Sequence, residues 1–549
     1  MSLKDFLKKR EPQIFAIAFA LILLLGIFLR TYNHHDWLRF NADQSRDALL
    51  VNNFLEGKID LPLLGPKAGG TFFSLGPMFY YLQIASAKIF GTTPDKIAYP
   101  DLLFSILAIP LLYFLMRIYF NRYVSFSLTG LFSVSMFVVQ YSRFAWNPNA
   151  SPFFVFLFLY SLLMLASLET KKKMFWASVA GIAFGAGVQL HTLLLIIMPA
   201  IAVLFLGYFW KKKLISIKNC IAIFLIALAL NTPQIISEIK TEGQNVRTFF
   251  AGTIKKTDGK ETVLENLASD AACQIQANSY IISSYGNSDN CGVDVISSSL
   301  KKVKHFDKKF LIILELLLGT IFSIGGFLLW GRAVKKEKNQ DKKIFLVLLG
   351  TYLLAVFVLL IPLANEISLR FYLALEFVPF MLLGFWIVAI IEWTKEKYRK
   401  HVVVFLIVVL LFLAGCNIFS VQESFAAVSV EEKMEDAESF ITLGETEFIS
   451  RYIISHSGAQ KTVYVEGKQI YLFKYLKSIE YFTSQSGVSV RQKLKEEAIP
   501  EGATIFIIDD AKWKGNLKKS MQETYESYDV EAYGRFSIAM MQKKEIIKN

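Results

Sequence analysis

The sequence predicts a polytopic α-helical membrane protein that ends in a small α/β domain outside the membrane. Three observations carry this. Of the 549 residues, 54% are hydrophobic and only 19% charged, and mean hydropathy is +0.42. Apolar runs of about 20 residues recur, each able to cross a ~30 Å hydrocarbon core as a helix. Lysine and arginine fall in short clusters between those runs. That pattern orients helices, and it argues against a nucleic-acid surface despite a net charge of +13. No internal repeat or low-complexity tract stands out.

The first run, 14–30, follows Lys4, Lys8, Lys9 and Arg10. The positive-inside bias puts these charges in the cytoplasm and Asp43 on the outer face. Many further runs follow, so the first reads as a retained span rather than a cleaved signal. Lys171 to Lys173 and Lys211 to Lys213 flank a hairpin of runs 175–191 and 193–210, which leaves His191 outside. Run 216–232 then exits, 233–308 is a long outer loop, and 309–330 returns. Lys335, Lys336, Lys338, Lys342 and Lys343 mark the next inner loop. Runs 343–363 and 371–391 form a hairpin whose outer tip is 365–370. After Lys395, Lys397, Arg399 and Lys400, run 401–420 exits for the last time.

Read backwards from Lys171, runs 150–168, 124–142 and 98–116 alternate so that Asp95 and Lys96 lie outside. Asp43 is already outside, so the apolar stretch 72–90 cannot cross once. It is expected to lie along the outer interface or re-enter. The alternative, in which 72–90 crosses and another run fails to, stays open. The expectation is about eleven spans, seven of them before the long outer loop. Residues 1–421 form the membrane module, with a first outer loop at 31–97. Residues 422–549 form the outer domain, with a helical pattern at 430–456, a strand at 462–465, a helix-like stretch at 469–480 and a strand at 503–508. The expected location is the cell (plasma) membrane.

Cys220 and Cys416 lie in apolar runs and read as packing. Cys273 and Cys291 share the outer loop, where an oxidising compartment favours a disulfide. No spacing resembles a metal site, and no cofactor is indicated.

The unusual polar residues collect on one side: Asp43, Arg46, Asp47, Lys67, Arg143, Asn147, Asn149, Gln189, His191, Glu238 and Arg370. Charged groups are costly near hydrocarbon unless they face water, a partner or a substrate. Their grouping at span ends suggests a cavity at the outer interface. Transporters more often place such groups at mid-span.

The first outer loop reads Ala42-Asp43-Gln44-Ser45-Arg46, then Gly76-Pro77-Met78-Phe79-Tyr80-Tyr81. Together with Arg143-Phe144-Ala145-Trp146-Asn147-Pro148-Asn149, Gln189-Leu190-His191 and Arg370-Phe371-Tyr372, it resembles the C-type polytopic glycosyltransferases. Within them it is most similar to the protein O-mannosyltransferase and aminoarabinose transferase superfamily, over about residues 1–420. The resemblance implies that a sugar on a polyprenyl phosphate is transferred, with inversion, to a hydroxyl or amine at the outer face. It implies that Asp43 is the general base, although an aspartate here can equally cap a helix over 44–56. Asp47 shares that helix face, and an ion pair with Arg46 is the plainer alternative. A leaving lipid phosphate needs cations, for which Arg370, Lys67, His191 and Arg143 are the candidates. Asp47, Asn147, Asn149 and Glu238 are candidates for acceptor or sugar contacts. Many relatives carry a second acid shortly after the arginine that Arg143 resembles; here the sequence reads Trp-Asn-Pro-Asn, which puts a two-acid mechanism in doubt. The first outer loop has no Asp-x-Asp, so a metal-dependent mode is not indicated. The expected partners are the polyprenyl-phosphate sugar donor, membrane lipids and an unidentified acceptor. A polysaccharide polymerase or ligase, or a flippase or transporter, are the alternative classes.

Overall fold

The computed structural model describes residues 3–543 except 70, 258–261, 287–289, 303–305, 430–439, 468, 493–502, 514, 518–521 and 523–524. Among these residues, seven helices are long and apolar enough to cross a membrane. They are Arg10–Thr31, Tyr99–Arg117, Thr192–Lys211, Ile217–Lys240, Lys309–Lys336, Gln340–Ala364 and Glu396–Ser429. A bent pair, Leu369–Leu375 and Phe377–Trp393, makes an eighth if taken as one broken span. The three other expected spans fall on shorter helices: Arg122–Val134 followed by Met136–Tyr141, then Ser151–Ala166 and Lys173–Gly187. At Ser135 the backbone leaves the helical region, and its hydroxyl donates to the carbonyl of Ile281. Helix Ser151–Ala166 is about 24 Å long at 1.5 Å per residue, and most of its residues are buried inside the bundle. The chain is a multi-span membrane protein.

The stretch 72–90 forms a helix only over Met78–Phe90. Thirteen residues reach about 20 Å, short of the ~30 Å hydrocarbon core. Single cysteines in place of Lys58 and Thr92, in a background without Cys220 and Cys416, therefore test the topology. Both should react with a membrane-impermeant thiol reagent added outside intact cells. Labelling of position 92 only after permeabilisation would make this segment a true span.

The expected straight run 371–391 is broken. Residues Leu369–Leu375 form a 3-10 helix that meets Phe377–Trp393 at 64°. Pro379 has no N–H to give the carbonyl of Leu375, so the α-helical ladder cannot continue back through the bend. The chain between Lys240 and Lys309 also holds this segment. Its helix Val263–Ser283 carries Cys273, which is bonded to Cys291. Next to that disulfide, Asn290 pairs with Ser368 as an antiparallel bridge. The Tyr372 hydroxyl lies 3.4 Å from the Asp270 carboxylate.

After the last long helix, the chain forms helices Leu443–His456 and Gln469–Gln485 and five strands. The first ten residues of the expected helix 430–456 lie outside the described residues. The strands are β1 Thr462–Gly467, β2 Ser489–Gln492, β3 Ile505–Asp510, β4 Tyr525–Tyr533 and β5 Phe536–Lys543. They form one sheet in the order β2-β1-β3-β5-β4. β1 is parallel to β2 and β3, while β5 is antiparallel to β3 and β4. Helices Leu443–His456 and Gln469–Gln485 bury Ile449, Ile453, Tyr475 and Ile479 against Val463, Val465, Phe506 and Ile538. The turn between β4 and β5 uses Gly534 at φ +59°. It presents Arg535, fully buried, to Glu445 at 2.8 Å.

This domain is tied to the chain just before Asp43. Phe40 N–H donates to the Ile441 carbonyl (2.9 Å), Leu443 N–H to Leu38 (2.8 Å) and Gly444 N–H to Asp36 (3.1 Å). The Asn52 amide donates to the Tyr481 hydroxyl at 2.8 Å.

Candidate active site

The first-loop motif opens the helix Ala42–Leu55. Its N-cap is Asn41, two residues before Asp43. The Asn41 N–H donates to the Gln44 side chain at 3.1 Å, and Asn41 Oδ1 accepts from Ile441 N–H at 3.0 Å. Asp43 therefore has no capping duty. It sits in the first turn, where a negative charge suits the helix dipole, with its side chain 59% exposed.

Arg46 joins the two acids of this helix. It lies 2.8 Å from Asp43 and 2.8 Å from Asp47. The two acids differ sharply in setting. Asp47 is buried and also accepts from the Tyr80 hydroxyl at 3.0 Å. Burial pushes its carboxyl up to about 6, against the opposing pull of Arg46 and Tyr80. Tyr80 comes from the Gly-Pro segment, so the two halves of the first-loop motif meet through this hydrogen bond. Gly76 holds the next contact. A Cβ there would overlap the Gln189 side chain. Gln189 Oε1 accepts the Met78 N–H at 3.2 Å, at the start of helix Met78–Phe90.

Two cavities meet at Asp43. The larger, about 1060 Å³, lies between the helix bundle and the C-terminal α/β unit. Its walls are largely polar, including Asn41, Gln140, Ser368, Ser424 and Lys474. The second, about 420 Å³, is mostly apolar, walled by Phe73, Leu75, Leu193, Ile196, Phe249, Leu360 and Leu363. Arg46, Lys67, His191 and Arg370 also line it. Among the described residues, Asp43, Trp146 and Arg370 line both.

The expected site residues fall into two groups that share Asn147. Asp43, Arg370, Lys67, His191 and Asn147 line the apolar cavity. Arg370, on the 3-10 helix, is exposed there, with its guanidinium 5.6 Å from the ring centres of both Trp146 and Phe371. The Lys67 ammonium lies 5.7 Å from the Phe72 ring. His191 caps helix Thr192–Lys211, its Nδ1 accepting Leu193 N–H at 3.1 Å. The second group is engaged in holding backbone. Arg143 lines the polar cavity but donates to the carbonyls of Leu29, Arg30 and Tyr32. Asn147 donates to Leu190 (2.7 Å) and buried Asn149 to Phe144 (2.8 Å). Glu238 lines neither cavity; it accepts Val246 N–H at 3.3 Å. Among the described residues, no group of three or more His, Cys, Asp or Glu could hold a metal ion.

The sequence did not single out Asp101 or Trp146. Asp101 is buried and accepts Trp146 N–H at 3.3 Å. It brings a carboxylate behind the Trp-Asn-Pro-Asn turn from a distant helix, where no local spacing could reveal it.

A titratable contact ties the C-terminal α/β unit to the loop that carries Asp43. His35 lies 3.4 Å from Asp95 and 3.4 Å from Glu447. Burial lowers its pKa, but the two carboxylates outweigh burial and raise it above 6.5. A raised histidine stabilises fully below its unfolded value and loses that contribution as pH rises through the folded one. His35→Gln should therefore lower the thermal midpoint most below about pH 6.5, and the gap should close in alkaline buffer. A gap independent of pH would show that the contact carries no proton linkage.

Comparison with known proteins gives the fold a context. Residues 74–236 match the family model described as dolichyl-phosphate-mannose-protein mannosyltransferase. YkcB of Bacillus subtilis (strain 168), named as a candidate mannosyltransferase, is 26% identical over 240 residues. That match covers 42% of this chain and only 32% of YkcB. ArnT of Cupriavidus metallidurans, solved in the apo state, superposes with a TM-score of 0.50 at 11% identity, over 97% of this chain and 98% of its own. The Archaeoglobus fulgidus oligosaccharyltransferase AglB was solved with an inhibitory peptide and a dolichol-phosphate. It gives a TM-score of 0.51 at 13% identity, over 98% of this chain and 77% of its own. The chain thus has the fold shared by these C-type glycosyltransferases, and its segment 74–236 is similar to the dolichyl-phosphate-mannose-protein mannosyltransferase model.

Proposed function

We propose that the protein transfers a sugar from a polyprenyl phosphate to an acceptor hydroxyl or amine at the outer face of the membrane. The observation that carries this reading is the meeting of the two cavities at Asp43. The apolar cavity suits a prenyl chain, and its cations suit the phosphate. The polar cavity, open beside the outer domain, suits an acceptor. AglB, with which the chain shares its fold, was solved with a dolichol-phosphate, a lipid of the same chemistry.

In this reading Asp43 takes the acceptor's proton as the acceptor oxygen or nitrogen attacks the anomeric carbon from the polar side. The bond from that carbon to the phosphate oxygen breaks, and its electron pair leaves with the polyprenyl phosphate. Attack and departure lie on opposite faces of the sugar, so the configuration inverts. Arg370 and Lys67 hold the charge that grows on the leaving phosphate. Asp47 holds Arg46, which in turn steers Asp43. The orientation follows the charge bias: N-terminus in the cytoplasm, and residues 422–549 as an outer domain that walls the acceptor side.

The test is direct. The purified chain in lipid nanodiscs is supplied with undecaprenyl phosphates bearing mannose, glucose or N-acetylglucosamine, together with envelope extracts as acceptor. Release of undecaprenyl phosphate that depends on the protein and on the acceptor supports the reading. Absence of release from every donor, with the protein folded, would remove it.

A further inference from the structure

We propose that the Trp146 indole is the platform on which the transferred sugar ring stacks. This rests on the function proposed above and adds the contact that recognises the sugar itself. A glycosyl phosphate needs a base, a cation and a sugar contact within one sugar ring of each other. Among the described residues, only Asp43, Arg370 and Trp146 line both cavities. The first two supply base and cation, and Trp146 is the remaining member.

Trp146 is built as a rigid surface. It is half-buried, and its ring lies nearly parallel to Phe144 (24°, centroids 6.0 Å apart) and Tyr141 (21°, 6.3 Å). Its backbone N–H is fixed on buried Asp101. Its indole N–H has no acceptor among the described residues, which leaves it able to donate to a sugar hydroxyl. The amide N–H groups of the nearby asparagines are engaged: Asn147 and Asn149 donate to backbone carbonyls.

The chemistry fits. The C–H face of a sugar carries partial positive charge and packs on the negative face of an aromatic ring. Glycosyl transfer passes through a transition state with cationic character at the anomeric carbon, which the same face attracts. The Arg370 guanidinium lies over the indole, 5.6 Å from its centre, so a sugar packed on this ring carries its phosphate to the cation, as the covalent bond between them demands.

The experiment compares two ligands on the full chain in nanodiscs: undecaprenyl phosphate, and whichever undecaprenyl-phosphate sugar the wild type turns over. Trp146→Ala should weaken binding of the sugar-bearing lipid roughly 10- to 100-fold. It should leave undecaprenyl phosphate within about twofold, which also reports a folded protein. Trp146→Phe should restore most of the lost affinity, and Arg370→Ala should weaken both ligands. Equal losses for both lipids would make Trp146 a structural residue only, and no loss for either would remove it from the site. If the wild type turns over none of the lipids, the functional reading itself falls and takes this proposal with it.

Discussion

Asp43→Asn is expected to lower sugar transfer by about 10²–10⁴, the usual contribution of general-base catalysis, while the protein folds and binds lipid phosphate normally. Two features isolate the effect. Asp43 does not cap its helix, since Asn41 does. Its ion pair with Arg46 is well exposed on both sides, so breaking it costs little stability. Asp47 is the internal control. It is buried and hydrogen-bonded to Arg46 and Tyr80, so Asp47→Ala should lower the thermal midpoint as well as activity. The measurement is initial rate against melting temperature for both variants. Near wild-type transfer in Asp43→Asn would remove Asp43 as the base.

Arg370→Ala is expected to cost about 10²–10³ in transfer, the range for losing one preorganised group that stabilises transition-state charge. Arg370→Lys should fall between this variant and the parent. It keeps the charge but loses the planar fork that grips two phosphate oxygens. Arg370 is exposed, and among the described residues its ring contacts are to Trp146 and Phe371, so neither variant should melt much earlier. Turnover and undecaprenyl-phosphate affinity, measured together, decide it. If both variants bind the lipid phosphate like the parent, Arg370 serves only as an anchor at the interface.

The membrane architecture was legible because its signals are local. An apolar run bounded by lysines, such as 193–210, needs no tertiary contact to be read as a helix across a bilayer. The break in the 371–391 run was not, because it depends on Pro379 together with a grip supplied by Asp270 and the Cys273–Cys291 disulfide from another loop. In the C-terminal unit, β1 and β3 announced themselves as buried runs of β-branched and aromatic residues. β4 was hidden, being an edge strand of largely exposed residues interrupted by Glu526, Asp529 and Glu531.

The site was legible in part. Asp43 and Arg370 come from short motifs whose position at span ends is informative by itself. Whether a polar side chain faces a cavity or a backbone carbonyl is decided by its neighbours. Asn149 and Arg143 look alike in sequence as candidate ligands, yet one is buried against Phe144 and the other holds the end of the first span. Trp146 stood inside a quoted motif without a role, because its value depends on Arg370, 224 positions away, reaching the same ring.

The hydrogen bonds from residues 36–41 to residues 441–444 carry a consequence for biogenesis. The segment that leads into Asp43 is made long before residues 441–444, which follow every candidate span. The site therefore reaches its final shape only after the last helix has been inserted and the distal domain delivered to the same side. A nascent chain stalled in the translocon would be inert, and so would a product cut short before residue 441. Insertion of every span and folding of the C-terminal strands thus become preconditions for assembling the candidate site.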